Sequence, residues 1–509
     1  MNYDCIIVGG GVGGLVCAAY LAKAGAKILL CHKFDHLGGT ASEFRRGEFL
    51  FPAGPLSFSF HRFVKKVLNE LDSTNEIKFK RSHFQYKSPH IDTIISYPFH
   101  QLTEKLTAFY PKEKKGIEEF FRTMKKLSLK NYIEIERETG KFLSAKERER
   151  YKDIPDVETL EFPENLSAYD VAERIIEDEN LITLLSNQSF EEGEMSAVLC
   201  ANMWDMMCEK GIWYPLGGFR SINNSFKKVI EENGGDILLS SEVSKILIKG
   251  KRAIGVTLKN GEFIKANFVS SNADYKNTFL KMASGDLPDN KFLNWVKNLQ
   301  DSGSIFCVYL GIDTDKVDLS PLKADHLFYR ANLNSSIPWK HDISSIDFFL
   351  NREFEICRWT NKDKDSAPKG KEVIILRTNA PYTFFRRWIG REDRRLAGYY
   401  DFKEKMANLF IKAAGTLLKG LENSVEVIEC STPLTYQYWS GSSEGACAGW
   451  SWSKDSEMGS KFKVLIKTPI DNLFMVGYQS FSQLFMGGYA TAIQSGRLTA
   501  NEILNNSIS

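Results

Sequence analysis

The sequence predicts an α/β fold: a buried parallel sheet opened by a βαβ unit, with a small antiparallel meander joining it later in the chain. Three observations predict this. Tyr3-Asp4-Cys5-Ile6-Ile7-Val8 is a short apolar run rich in β-branched residues, which suits a strand buried on both faces. Gly9, Gly11 and Gly14 follow it in the G-x-G-x-x-G register and open a helix of small apolar residues, Leu15 to Ala24. Far downstream, Asn472-Leu473-Phe474-Met475-Val476-Gly477 and then Gly487-Gly488-Tyr489-Ala490 repeat the strand, glycine and helix order.

Each glycine of the first loop has a separate task. The first allows a tight turn, the second lets a pyrophosphate approach the backbone, and the third lets helix and strand pack closely. The helix start presents free N–H groups and the positive end of its dipole to the phosphates. Gly25 ends the helix, and Lys27 to Cys31 returns as a second strand. At its end a carboxylate ordinarily accepts from the ribose hydroxyls. Spacing puts His32 there, whose neutral ring offers one acceptor nitrogen, with Asp35 close enough to substitute. Gly38-Gly39 lets a second loop pass near the ligand, and Gly54-Pro55 is a turn signal.

From about Leu56 to Ile212 the chain reads as a separate helical region. Ile117, Phe120, Phe121, Met124 and Leu127 recur at helical spacing, with Lys114, Lys115, Arg122, Lys125 and Lys126 between them. Such a basic amphipathic helix suits a membrane surface, or a solvated helix with its apolar side on the core. Ser167 with Asp170 is a capping box. Met195, Met203, Trp204, Met206 and Met207 form a soft apolar cluster, which favours core over ligand wall. Beyond Tyr214-Pro215-Leu216-Gly217-Gly218 a helix from Ser221 to Asn233 is expected. Short strands follow at Ile237–Leu239, Val243–Ile248, Ala253–Leu258, Glu262–Ala266 and Phe268–Ser271. Gly250-Lys251 and Asn260-Gly261 supply the hairpin turns. From Tyr275 to about Glu429 the pattern is mixed, with strands at Ile305–Leu310 and Glu372–Arg377.

With 509 residues the chain has room for about two to four domains. A net charge of +2 gives no bias toward nucleic acid. The nine cysteines are scattered and include no C-x-x-C pair, so no metal site or disulfide framework is expected, and a reducing, cytoplasmic compartment fits. The opening strand contains Asp4 and does not read as a signal peptide. No run approaches the length of a membrane span.

Several of these segments together resemble the phytoene desaturase family, which includes carotenoid desaturases, carotenoid isomerases and retinol saturases within the amine-oxidase-like flavoproteins. They are Gly9 to Leu15, Gly38-Gly39, Phe51-Pro52-Ala53-Gly54-Pro55, Tyr214 to Gly218, Gly234-Gly235-Asp236-Ile237, Ala253-Ile254-Gly255-Val256, Ser271-Asn272-Ala273-Asp274, Asn472 to Gly477 and Ser495-Gly496-Arg497. The resemblance covers nearly the whole chain. It implies a Rossmann-like FAD-binding domain of the glutathione-reductase type, made of 1-56, 213-275 and 430-509. An interleaved α+β substrate domain of 57-212 and 276-429 would include the helices able to face a membrane. FAD would lie extended, its pyrophosphate at Gly9, Gly11, Val12, Gly13 and Gly14. The rest of the cofactor would meet His32, Lys33, Gly38, Gly39, Thr40, Gly54, Pro55, Gly477 and Tyr478, with the Val243 backbone at the adenine. The flavin would lie beneath Gly54-Pro55 and by Gly487, Gly488, Tyr489 and Ala490, where a helix start stabilises negative charge on the reduced ring. The family usually has Glu at His32, Arg at Thr40, Asp at Pro52 and Asp at Tyr478, and a proline near Met486-Gly487. Each polar contact so lost costs about 1 kcal/mol.

The implied activity is FAD-dependent oxidoreduction of a long apolar polyene or isoprenoid, by desaturation, saturation or cis-trans isomerisation. Two alternatives stand beside it: an amine-oxidase-like enzyme on a smaller substrate, for which Trp439, Trp450 and Trp452 supply aromatic material, and a non-catalytic lipid-binding protein keeping the fold. Glu43, Arg45 and Arg220 flank the cofactor loops and are the candidate catalytic groups, against the alternative of surface salt bridges.

Overall fold

A computed structural model describes residues 2–73, 76–152, 154, 166–186, 195–332, 345–391, 394–460 and 462–507. The opening motif folds as its pattern requires. Strand Asn2–Val8 runs into helix Val12–Lys23, and strand Ile28–Cys31 returns parallel to the first, pairing Cys5 with Ile28 and Val8 with Cys31. The sheet they found has the order Asp236–Leu238, Ile28–Cys31, Asn2–Val8, Phe263–Ser271, Arg252–Leu258, Val243–Lys249, Ala283–Gly285.

Phe263–Ser271 is one strand, where the sequence suggested two. Asn267 looked like a break, yet its side chain simply faces solvent while the backbone continues. The strand changes partner on one edge: its first residues pair antiparallel with Arg252–Leu258, and Val269 to Ser271 pair parallel with Leu473–Met475. That exchange brings the end of the chain into the sheet begun by its start.

The last helix completes the join. Gly487–Ser507 packs on Val12–Lys23, and a Cβ on Gly496 would stand 2.5 Å from the Gly13 carbonyl oxygen and 2.7 Å from Val16 Cβ. A Cβ on Gly14 would stand 2.2 Å from the Gly9 carbonyl oxygen, so its glycine is set by helix–strand packing.

A second sheet has the order Val425–Ser431, Ile305–Asp313, Lys371–Asn379, Glu353–Arg358, His326–Arg330, Phe84–Lys87, Asp92–Ile94. Its last two strands correct the reading of 56–212 as helical. Phe84–Lys87 pairs parallel with His326–Arg330, and its apolar/polar alternation runs for four residues only, too short to stand out from the helical stretches around it. The following helices match their signals better. Lys114–Thr139 is a single helix, and Ala168–Glu173 carries the Ser167–Asp170 capping box.

Ile117, Phe120, Phe121, Met124 and Leu127 are all buried in the core shared with helix Ala197–Asp205. The stripe that could have entered a membrane is therefore taken up inside the protein, leaving Lys114, Lys115 and Arg122 in solvent. Reversing the charge of those three should leave retention on liposomes unchanged in a flotation assay. Among the described residues no helix is long and apolar enough to cross a membrane.

Candidate active site

One cavity of about 860 Å³ runs between the two sheets. Gly9, Gly11, Val12 and Gly13 line it, and so do Gly487, Gly488 and Tyr489, so both ends of the chain meet on one space. Gly38, Gly39, Thr40, Gly54 and Pro55 line it too, as do His32, Lys33, Val243, Gly477 and Tyr478. Gly14 and Ala490 do not; Gly14 lies against Gly9, and Ala490 is fully buried behind Tyr489.

The glycines show that something approaches the backbone here. A Cβ on Gly11 would stand 2.6 Å from Asn272 Nδ2, and one on Gly13 2.8 Å from the Gly477 backbone. Gly488 differs. It is the second residue of a helix, has no left-handed φ, and a Cβ there would meet no protein atom within 4 Å. Neither packing nor backbone conformation asks for glycine at this position, and the space over it is open to the cavity.

His32 departs from the sequence expectation. Its Nδ1 accepts the Gly10 N–H at 3.1 Å, which uses the acceptor expected to serve a ribose hydroxyl. The remaining Nε2 carries the proton and is buried without a partner, so it can only donate. Burial first, then His36 and Lys33, hold the imidazole pKa down to about 4, so the ring is neutral near pH 7. Asp35 does not substitute: it is exposed, bonds His36 at 2.8 Å, and does not line the cavity.

Glu43, Arg45 and Arg220 lie off the cavity wall. Arg220 Nη1 donates to Glu43 Oε2 at 2.7 Å, joining strand Glu43–Arg46 to helix Phe219–Glu232, whereas Arg45 is exposed and donates to the Glu48 carbonyl. Burial pushes the Glu43 carboxyl up to about 7 despite Arg220. A raised folded pKa means that stability falls as pH rises from the unfolded value of 4.5 through 7. The stability difference between wild type and Glu43→Gln should therefore shift by about 2–3 kcal/mol in favour of the variant between pH 5 and pH 8, read by urea unfolding.

Sequence reasoning missed a buried network of charged groups at the cavity. Glu355 is buried, and its Oε1 and Oε2 take His326 Nδ1 at 2.5 Å and Arg377 Nε at 2.7 Å. His326 Nε2 meets Lys362 Nζ, which also donates to the Leu56 carbonyl at 3.0 Å, beside the Gly54-Pro55 turn. Glu355 and Arg377 both face the cavity. Of the methionine cluster, Met203, Met206 and Met207 line the cavity, while Met195 and Trp204 are core. Trp439 and Trp452 line it as well, and Trp450 is buried.

A parallel sheet with a glycine-loop βαβ unit, and a long cavity whose wall joins that loop to a distant helix start, define a dinucleotide-cofactor enzyme. The family model for flavin containing amine oxidoreductase matches residues 12–504, and the chain belongs to that family. It is an FAD-dependent oxidoreductase. The chain is 26% identical to the chloroplastic prolycopene isomerase of Daucus carota, over 94% of this chain and 77% of that protein. It is 24% identical to the all-trans-retinol 13,14-reductase of Danio rerio, over 99% and 86% respectively. It is also 24% identical to the 4,4'-diaponeurosporene oxygenase of Staphylococcus aureus (strain MW2), over 94% of each. Among solved structures it shares its fold with putrescine oxidase bound to putrescine (TM-score 0.62, 12% identity, 99% of each chain). It also shares it with cyclohexylamine oxidase of Brevibacterium oxydans IH-35A (TM-score 0.61, 14% identity, 100% of each chain).

Proposed function

We propose that this enzyme holds FAD extended along the cavity and acts on a long apolar polyene or isoprenoid, by desaturation, saturation or cis-trans isomerisation. One observation carries the reading: the wall of a single cavity changes along its length. It is glycine at the two loop-to-helix junctions, and Phe84, Leu199, Met203, Met206, Phe328 and Trp452 elsewhere. An adaptable methionine and aromatic wall suits a flexible hydrocarbon chain. The relatives support the substrate class, being by name an isomerase of prolycopene, a reductase of all-trans-retinol and an oxygenase of 4,4'-diaponeurosporene.

In this reading Gly9, Gly11, Val12 and Gly13 approach the pyrophosphate, with Gly14 behind them. His32, Lys33 and Val243 meet the adenosine part. Gly38, Gly39, Thr40, Gly477 and Tyr478 flank the middle, and the flavin lies beneath Gly54-Pro55 and the helix start at Gly487 to Ala490. The glycine cradle and the unpartnered His32 Nε2 fit such a group. FAD supplies the acceptor or donor of a hydride when bound. The chain's own residues exclude water, hold the substrate and steady charge on the reduced ring through the helix start. The division follows: 1-56, 213-275 and 430-509 carry the cofactor, and 57-212 and 276-429 the substrate.

The test is aerobic and anaerobic incubation of the flavin-loaded protein with phytoene, a coloured carotenoid and all-trans-retinol, with chromatography of the products. Conversion of one polyene is expected. Full flavin content, no polyene product and turnover of putrescine or cyclohexylamine would replace this reading with amine oxidation.

A further inference from the structure

Among the described residues that line the cavity, Asn202 leaves both of its side-chain polar atoms unpaired. Helix Ala197–Asp205 contributes Leu199, Asn202 and Met203 to the cavity. Asn202 is 1% exposed, and neither its Nδ2 nor its Oδ1 has a hydrogen-bond partner. Buried polar groups are nearly always paired, and an amide with both ends unmet calls for an explanation. Its surroundings add to the case. Asp205 lies three residues on, on the same helix face, fully buried. Its Oδ1 accepts from Tyr151 at 2.7 Å, while its Oδ2 has no hydrogen bond and Lys210 Nζ stands 3.6 Å away. Lys210 is itself buried, donating to the Tyr151 hydroxyl at 2.8 Å. Between Asp205 and Lys210 the helix widens into a π turn, Met206–Lys210, a local form frequent at functional sites. That turn supplies Met206 and Met207 to the same wall.

We propose that Asn202 hydrogen-bonds an oxygen of the bound molecule, a hydroxyl or carbonyl, so that this chain takes an oxygenated isoprenoid in preference to a pure hydrocarbon. The inference rests on the isoprenoid reading above and narrows it. A carboxamide both donates and accepts, which matches a hydroxyl in either direction and a carbonyl through its N–H. A hydrocarbon leaves the amide as unmet as it is without ligand. Sites that hydrogen-bond a substrate hydroxyl discriminate strongly against the analogue lacking it, because their own polar atoms then stay unpaired. The Asp205–Lys210 pair acts through the helix, fixing the turn from which the two methionines project, one residue past the helix that carries Asn202.

The test compares two ligands of the same carbon chain, all-trans-retinol and its deoxy hydrocarbon, on the flavin-loaded protein, followed by tryptophan quenching. Wild type should bind the alcohol roughly 10- to 100-fold more tightly. Asn202→Leu should bring the two within about threefold, by weakening the alcohol while leaving the hydrocarbon and the flavin content unchanged. Equal affinity of wild type for both ligands overturns the inference and needs no variant. So does an Asn202→Leu protein that weakens both alike, which is the mark of a structural role. If wild type binds neither ligand yet oxidises an amine, the isoprenoid reading itself falls, and this inference with it.

Discussion

Gly11→Asp should yield a colourless protein. The substitution places a Cβ 2.6 Å from Asn272 Nδ2 and a carboxylate at the turn where the pyrophosphate is proposed to lie. Like charges about 4 Å apart in a partly buried site repel by about 4 kcal/mol, roughly a thousandfold in affinity. Flavin absorbance of the purified variant reads the result, and flavin retained at the wild-type ratio would remove the phosphates from this loop. Because the Asn272 contact could itself disturb the fold, Gly488→Leu is the sharper companion. A side chain there meets no protein atom within 4 Å at its Cβ, so folding should be unharmed. Flavin affinity should nevertheless fall by two orders of magnitude or so, since packing cores tolerate little added volume. A Gly488→Leu protein that keeps its flavin would show that the cofactor lies elsewhere. Together the two variants probe both ends of the polypeptide on one ligand.

The sequence made the glycine-lined half of the cavity legible because that half is built from backbone. Glycine marks close approach of a main chain, and Gly9, Gly11, Gly38, Gly39 and Gly487 are read from their pattern, whereas Gly477 comes from the family resemblance. The charged half was not legible, since its members are assembled by strand register. Glu355 sits opposite Arg377 on one side and Phe328 on the other, two residues from His326 along the neighbouring strand. Nothing in residues 326, 355 and 377 read separately says that they meet. The available signal was a carboxylate inside the apolar run Phe354-Glu355-Ile356-Cys357, which a solvated strand edge would also produce. His32 shows a third case. Position along the chain gave its place, but the Gly10 N–H that claims its acceptor nitrogen exists only in three dimensions.

Glu355→Leu should be the most destabilising single change near the cavity. Removing one partner of a buried ion pair leaves the other without its counter-charge and typically costs about 3–5 kcal/mol. Burial pushes the Glu355 carboxyl up, but Arg377, His326 and Lys362 more than offset it and hold the pKa down to about 2, against an ordinary 4.5. A depressed folded pKa contributes stability that is present above pH 4.5 and is lost as pH falls from there through 2. The shift corresponds to about 3 kcal/mol. Wild type and variant should therefore differ most at neutral pH and draw together between pH 5 and pH 3, measured by urea unfolding at each pH. Equal stabilities at pH 7 would mean that the network holds nothing in place. The loss should also reach the cofactor. His326 stacks on Phe84 with ring centroids 4.3 Å apart, and Lys362 links that histidine to the Leu56 carbonyl just past Gly54-Pro55. Releasing Glu355 frees this series of contacts from the second sheet up to the Gly54-Pro55 turn, where the cofactor is proposed to lie. Flavin affinity should drop in the folded variant, and rescue by Glu355→Asp but not by Glu355→Gln would assign the effect to charge.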